Sequence, residues 1–317
     1  MSYIHFTPDE RKTLFELLNK NYSLRTIAAY LGRSASTVSR EISRNSVNGR
    51  YSPYKANRLA EQRKNRRSVR SIIPGSKQWN YVIEKLNLFW TPEQIAGRWK
   101  KDFPSEKPIH FSTIYRYIHR GYLPEIDSKS HLRRRGNHPK PDKSTYNSVK
   151  PDRLITDWPD VVKERLRVGD WEGDSILGGV GKGLALTLVD RKSRFLISVI
   201  SLTKKASENA KLISKVLLNH PVNSISFDNG VEFAEFHTIE NDLNTKVYFA
   251  EPHKPWQRGT NENTNGILRF FFEKGCDFRE VSEEEFQNVI DLINNRPRKC
   301  LGWRTPAEVY SESVALT

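Results

Sequence analysis

The segment Asp170-Trp171-Glu172-Gly173-Asp174-Ser175-Ile176-Leu177 decides how this chain is read. It reads as a short strand, and side chains alternate along a strand with period two, so Asp170, Glu172 and Asp174 share one face. A second apolar run, Ser224-Ile225-Ser226-Phe227, leads into Asp228 and the turn signal Asn229-Gly230. A third acid, Glu262, stands at the head of a helical pattern that runs to about Phe272. Carboxylates carried by two strands and a helix can meet only through the fold. Hard divalent cations take oxygen ligands, and Mg2+ combines a few carboxylates with water and phosphate oxygens. A pair of such ions activates an attacking water or hydroxyl and stabilises the leaving oxygen, which is the chemistry of cutting and joining phosphodiesters. Asp174, Asp228 and Glu262 are therefore read as one metal-binding triad. Spacing alone does not rank Asp174 above Asp170 and Glu172.

The surrounding pattern gives the fold. Asp170–Leu177, Leu184–Val189 and Phe195–Ile200 read as three strands in a meander. Residues 206–218 form an amphipathic helical pattern, followed by the strand that ends at Asp228, a helix over 233–243 and a strand over 247–249. A meander followed by alternating strands and helices fits a ribonuclease-H-like α/β core. The run Gly178 to Gly183 lacks the spacing of a phosphate-binding P-loop and links two strands, so it is expected to be a flexible hairpin loop. Ser282–Asn294 reads as a further amphipathic helix.

The runs GDWEGDSILGG (169–179), FDNGVEF (227–233) and PHKPWQRGTNENTNGILR (252–269) resemble the three catalytic blocks of the IS30 family of insertion-sequence transposases. That family sits within the DDE transposases and retroviral integrases. The resemblance covers nearly the whole chain and continues in Asn295-Arg296-Pro297-Arg298-Lys299 and Trp303-Arg304-Thr305-Pro306. It selects Asp174 from the strand acids through the pattern Trp-Glu-Gly-Asp. Two positions depart from the family pattern: Asp170 replaces a more usual His, and Phe227 a more usual Thr. The resemblance implies the ribonuclease-H-like fold, two helix-turn-helix units ahead of it, action as an oligomer on paired element ends, and Mg2+, with Mn2+ as a substitute. It also puts a basic residue seven positions after the catalytic Glu. Arg269, two helical turns beyond Glu262 on the same face, is expected to grip a DNA phosphate. Gln257, Arg258 and Asn261, in a proline-stiffened loop before Glu262, are expected to touch DNA, as is the basic run 296–299.

Charge divides the chain. Residues 1–150 carry 30 Lys and Arg against 12 Asp and Glu, and residues 151–317 carry 22 against 25. A basic half joined to a mildly acidic half suggests a polyanion-binding region attached to a metal-binding one. Thr7-Pro8-Asp9-Glu10 carries the signals of a capped helix start, Ser23 caps a second helix that Gly32 ends, and Ser34 caps a third. Residues 1–48 thus read as a helix-turn-helix domain. With Val38 and Ile42 turned inward, its third helix is the recognition helix, and Arg33, Ser36, Thr37, Arg40 and Arg44 are its expected DNA contacts. Residues 49–75 are a basic segment, either a helix lying along phosphates or a linker. Thr91-Pro92-Glu93-Gln94 repeats the first start signal, and Ser112 is expected to cap a partner helix that ends at Gly121. Residues 76–123 read as a second helix-turn-helix or as a helical spacer. Residues 124–157 form a second basic linker, and the catalytic core occupies 158–317.

Cys276 and Cys300 form no zinc-ligand spacing, the first residues have no apolar leader, and no apolar run reaches a bilayer's width. The expectation is a soluble cytoplasmic protein. Double-stranded DNA is its partner, at the terminal inverted repeats and at a target, and cleavage and strand transfer are its chemistry. A DNA-binding repressor with a vestigial triad and a structure-specific nuclease are the alternatives.

Overall fold

In the computed structural model, which describes residues 5–68, 72–132, 151–251 and 254–315, the chain divides into two units, residues 1–73 and 74–317. Residues 133–150 of the expected second basic linker lie outside the described residues.

Among the described residues the first unit holds four helices: α1 (Pro8–Asn19), α2 (Leu24–Tyr30), α3 (Ala35–Asn45) and α4 (Pro53–Ser68). Each of the first three starts where its cap dictates. Thr7 and Glu10 exchange side-chain-to-backbone hydrogen bonds across the start of α1, and Ser23 and Ser34 accept N–H groups of α2 and α3. Gly32 ends α2 with φ at +62°, a conformation that costs glycine nothing. Leu14, Ile27, Ala28, Val38, Tyr51 and Ala56 form the core. Each large apolar side chain in it contributes roughly 1.5–3 kcal/mol. Ion pairs lock the helices: Arg11 to Glu41 at 2.7 Å, and Arg33 to Glu10 at 2.9 Å. The basic segment is a helix, α4, at least as far as Ser68.

The second unit opens with α5 (Lys77–Asn87), α6 (Pro92–Asp102), α7 (Phe111–His119) and the single turn α8 (Ser128–His131). Thr91 and Gln94 form the same capping box as Thr7 and Glu10. The cap of α7 is His110, whose ring accepts the N–H of Ser112, so the expected cap is already inside the helix. After the short α9 (Asp160–Lys163) come β1 (Asp170–Leu177), β2 (Leu184–Asp190), β3 (Leu196–Ser201), α10 (Ala206–Leu217), β4 (Ser224–Phe227), α11 (Phe236–Leu243) and β5 (Lys246–Phe249). The chain ends in α12 (Gly259–Phe271), α13 (Glu283–Asn294) and α14 (Pro306–Ala315).

The five strands make one sheet in the order β3-β2-β1-β4-β5. The hairpin strands pair antiparallel, whereas β4 and β5, reached through helices, pair parallel. This is the ribonuclease-H-like arrangement. One sheet face, with Trp171, Leu186, Leu188, Ile225, Phe227, Val247 and Phe249, packs on α10 and α11. The other, with Ile176, Ala185 and Val189, packs on α12 and α13. Asn294 of α13 both accepts from and donates to the backbone of Leu196, which fixes that helix along the edge strand.

The helices at 77–119 pack onto this core. Gln94 donates to the carbonyl of Pro297 at 2.8 Å, and Arg98 reaches Glu308 of α14 at 2.6 Å. Phe89 sits edge-on to Phe270 and Phe271 of α12. The Trp303 ring lies where a side chain at Gly97 would have to go, so only glycine lets α6 approach. On the other side of the sheet, Leu154 forms a parallel bridge with Phe249 and Arg153 pairs with Glu240, so residues 153–154 already extend the β5 edge.

Candidate active site

The parallel register of β1 and β4 sets Glu172 opposite Ser226. Two residues further along each chain stand Asp174 and Asp228, on the face turned toward α12. A close contact fixes this register. The ring of Phe227 occupies the space a side chain at Gly173 would need, so the residues just before the two acids interlock. Phe227 itself is fully buried and stacks on Phe233 at 4.2 Å.

One cationic group lies between the two carboxylates. The Arg258 guanidinium is 3.1 Å from Asp228 and 3.5 Å from Asp174, and it also donates to the carbonyl of Gly173. Burial pushes the Asp174 carboxyl up to about 6; Arg258 opposes the rise and the nearby Asp228 charge adds to it. Burial also works against the Arg258 charge, but Asp174 and Asp228 outweigh it and its pKa is raised. Two acids that both need one positive charge form a cation site in electrostatic terms.

Further side chains surround the pair. Asn265 of α12 donates to Asp174 at 2.9 Å and accepts from Thr187 at 3.1 Å, tying the helix to both hairpin strands. Ser175 donates to Glu232 at 2.5 Å. A Cβ at Gly230 would meet Glu232 at 2.7 Å and Asp228 at 2.9 Å, which brings a third carboxylate close to the two aspartates and requires glycine in the turn. Neither Asn265 nor Glu232 is among the site residues expected from the sequence. The signal for Asn265 was its place three residues after Glu262; for Glu232 it was the Asp-Asn-Gly-x-Glu spacing.

Glu262 stands exposed in the first turns of α12, three residues inside the helix rather than at its head. Among the described residues no three Asp, Glu, His or Cys side chains come together as a metal cluster. Asp170 and Glu172, the competing strand acids, are buried and already neutralised, Asp170 by Arg167 and Glu172 by Arg191.

Several expected DNA contacts are committed elsewhere. Arg258 is buried between the aspartates, and Asn261 is fully buried with neither side-chain polar atom hydrogen-bonded. An exposed role on DNA is thus corrected for both by their burial. Gln257 folds back on Glu251, accepting its N–H and donating to its carboxylate. Arg269 donates to the carbonyl of Leu177 at 2.7 Å. Arg33 is engaged by Glu10 and lies over the Phe6 ring, a structural place rather than an outward one. Arg296 and Arg298 are buried, and Arg296 bonds Gln94 and the Phe89 carbonyl, so the run is no surface patch; it ties α6 to the core. On α3, Ser36, Arg40 and Arg44 are exposed and Thr37 half-buried, with Arg40 resting on Ser36.

Comparison with known proteins assigns the chain. A helix-turn-helix domain family matches residues 2–45. The transposase InsI of insertion sequence element IS30A from Escherichia coli strain K12 is 35% identical, over 99% of this chain and 85% of that protein. The transposase of element IS4351 from Bacteroides fragilis is 34% identical, over 98% of this chain and 96% of that one. Among solved structures, the catalytic core domain of BIV integrase is similar with a TM-score of 0.38 and 23% identity, over 47% of this chain and 97% of that one. The alignments with the transposases run the length of both the helical N-terminal half and the sheet that carries Asp174 and Asp228, and by them this chain is a member of the IS30 family of insertion-sequence transposases.

Proposed function

We propose that this transposase is of the DDE type, with Asp174, Asp228 and Glu262 as its metal-holding carboxylates. The observation that carries this reading is the meeting of Asp174 and Asp228 on a single cationic group. The donors are hard oxygens, which suits Mg2+ with Mn2+ as a substitute. Burial, with the Asp228 charge adding to it, raises the Asp174 carboxyl despite Arg258, and the buried Asn261 amide has no partner, so the site has polar groups left for a cation and its water. A divalent cation held there supplies the Lewis acidity that activates an attacking oxygen and stabilises a leaving one. The chain's own residues supply the rest. Asn265 orients the Asp174 carboxylate through its amide. The interlock of Gly173 with Phe227 keeps the two strand acids in register. Arg269, on the same side of α12 as Glu262, is suited to a DNA phosphate. The exposed face of α3, with Ser36, Arg40 and Arg44, reads the terminal inverted repeats, and the enzyme acts as an oligomer on paired ends. No described helix is long and apolar enough to cross a membrane, and the proposed place of action is the bacterial cytoplasm, on the nucleoid.

The test is incubation of the purified protein with labelled DNA bearing the element's own ends and Mg2+. Cleaved and joined products are expected from the wild type. Asp174→Asn, Asp228→Asn and Glu262→Gln should each lose both products and keep end binding, because the carboxylates hold charge at the reacting bond and the reading helix lies elsewhere. Wild-type cleavage by any of the three would sink the assignment. One observation favours a second reading, a DNA-binding repressor: Glu262 does not join the two aspartates in a cluster. End binding with no product at any Mg2+ or Mn2+ concentration decides for it.

A further inference from the structure

At the start of α12 lies a cavity of about 230 Å³ lined by Arg165, Arg194, Arg298, Gly259, Thr260, Asn263, Thr264 and Cys300. Three of these residues carry a fixed positive charge and no carboxylate is among them. We propose that this cavity is an anchoring site for a phosphate of the DNA backbone. It deepens the transposase reading, on which it rests for the identity of the ligand.

The arginines come from three separate parts of the fold. Arg165 follows α9, Arg194 sits in the turn between β2 and β3, and Arg298 lies between α13 and α14. Arginine cannot shed its charge, so the Arg165 and Arg194 guanidinium groups at one cavity repel unless an anion joins them. Arg298 is only 7% exposed, which removes most of the water that would otherwise screen it. Arg165 and Arg194 make no ion pair among the described residues. Arg165 donates to the carbonyl of Arg191 at 3.4 Å, and Arg194 to the Thr260 hydroxyl at 3.0 Å.

The fourth side of the cavity is the start of α12, a 13-residue helix whose first N–H groups and dipole favour an anion. Thr260 and Asn263 add a hydroxyl and an amide. Three charged forks, a hydroxyl, an amide and a helix start, with no base-shaped apolar wall, match a phosphate group and carry no sequence information. Asn263 directly follows Glu262 in the chain. A phosphate held here therefore fixes a DNA strand over the same helical turn that carries the third acid, through residues distinct from those around Asp174 and Asp228.

Cys300, an exposed free thiol in the lining, reports on occupancy, with half-buried Cys276 as the internal reference. The full chain is alkylated with iodoacetamide, alone, with duplex DNA of the element's end, and with inorganic phosphate, and each cysteine's rate is read by peptide mass spectrometry. Duplex binding is followed in parallel by fluorescence anisotropy. At duplex about tenfold above its Kd, Cys300 should react roughly tenfold more slowly while Cys276 is unchanged. The double variant Arg165→Gln/Arg194→Gln should lose that protection, and its binding should show a salt slope smaller by about one to two units. Gln at these positions meets the same backbone conformation as Arg, so it adds no new strain. The double Lys variant retains the charge and should retain most of the protection, which covers the case in which the Gln variant fails to fold. Duplex that binds without slowing Cys300, or protection that persists in a folded Gln variant, overturns the site. Protection by inorganic phosphate alone overturns its assignment to DNA. Failure of the protein to bind duplex at all overturns the transposase reading with it.

Discussion

Two helices in this molecule begin with the same four-residue instruction and end in different roles. Thr7-Pro8-Asp9-Glu10 starts α1 and Thr91-Pro92-Glu93-Gln94 starts α6, each with a closed capping box. In the first unit, the helices that follow keep a polar face outward, and Ser36, Arg40 and Arg44 of α3 are exposed. In α6 the polar residues are spent inward: Gln94 and Arg98 bond Pro297 and Glu308, and Gly97 makes room for Trp303. The lesson is that a cap signal specifies where a helix starts and nothing about what it faces. What a helix faces is decided by the residues one and two turns later, and by whether a distant segment supplies partners for them.

The comparison breaks most severely at Gly97. Gly97→Leu should collide with Trp303 and destabilise the second unit by about 3 kcal/mol, the upper range for overpacking, while DNA binding by the first unit persists. Thermal unfolding and binding measured on the same sample check both halves, and an unchanged melting temperature would mean that α6 does not seat under the indole. Next in size is Arg40→Ala, expected to cost about 1–3 kcal/mol of affinity at one base position if the side chain reads a guanine, with stability unaltered. A loss spread evenly over repeat variants and sensitive to salt would make it a phosphate contact instead. The paired caps sharpen the contrast further. Thr7→Ala and Thr91→Ala should each cost about 1 kcal/mol, the first by loosening the DNA-binding unit and the second by loosening the sheet-bearing one. Hydrogen exchange localises each effect, and protection lost in the same unit for both variants would contradict the division of the chain.

The smallest effect is one of pH. The hydrogen bonds from Arg98 hold the Glu308 carboxyl down at about 2, against an ordinary value of 4.5. A carboxyl lowered on folding contributes stability that is complete above its unfolded value and disappears as pH falls toward its folded one. The contact between α6 and α14 should therefore weaken between about pH 4.5 and pH 2. Glu308 is partly solvated, so salt will blunt the effect. Arg98→Met should flatten that part of the stability profile, and an unaltered acid limb would show that the pair contributes nothing.

Much of the architecture is legible in the sequence. Caps at Thr7, Ser23, Ser34 and Thr91, and strand limits such as Asp170–Leu177, follow from local chemistry that acts within a few residues. Asp174 and Asp228 were legible as candidates because strands and turns announce themselves. What could not be read was reach. Nothing near Arg258 in the sequence says that its side chain lies between two aspartates 84 and 30 positions away. A basic run such as 296–299 has the same composition whether it faces phosphate or, as Arg296 does, a glutamine some 200 residues earlier. Long arginines are the residues for which sequence position says least about destination.

The interlock of Gly173 with Phe227 makes these two positions a single unit of heredity. A methyl group added at 173 has no room while the ring is there, and a smaller residue at 227 leaves a void while 173 remains glycine. Each change is harmful alone and the pair together is milder, so the route between the two solutions passes through a poorly packed intermediate. The volume shared behind the two aspartates thus constrains which descendants of this sequence can keep a working core, although neither residue bears a charge.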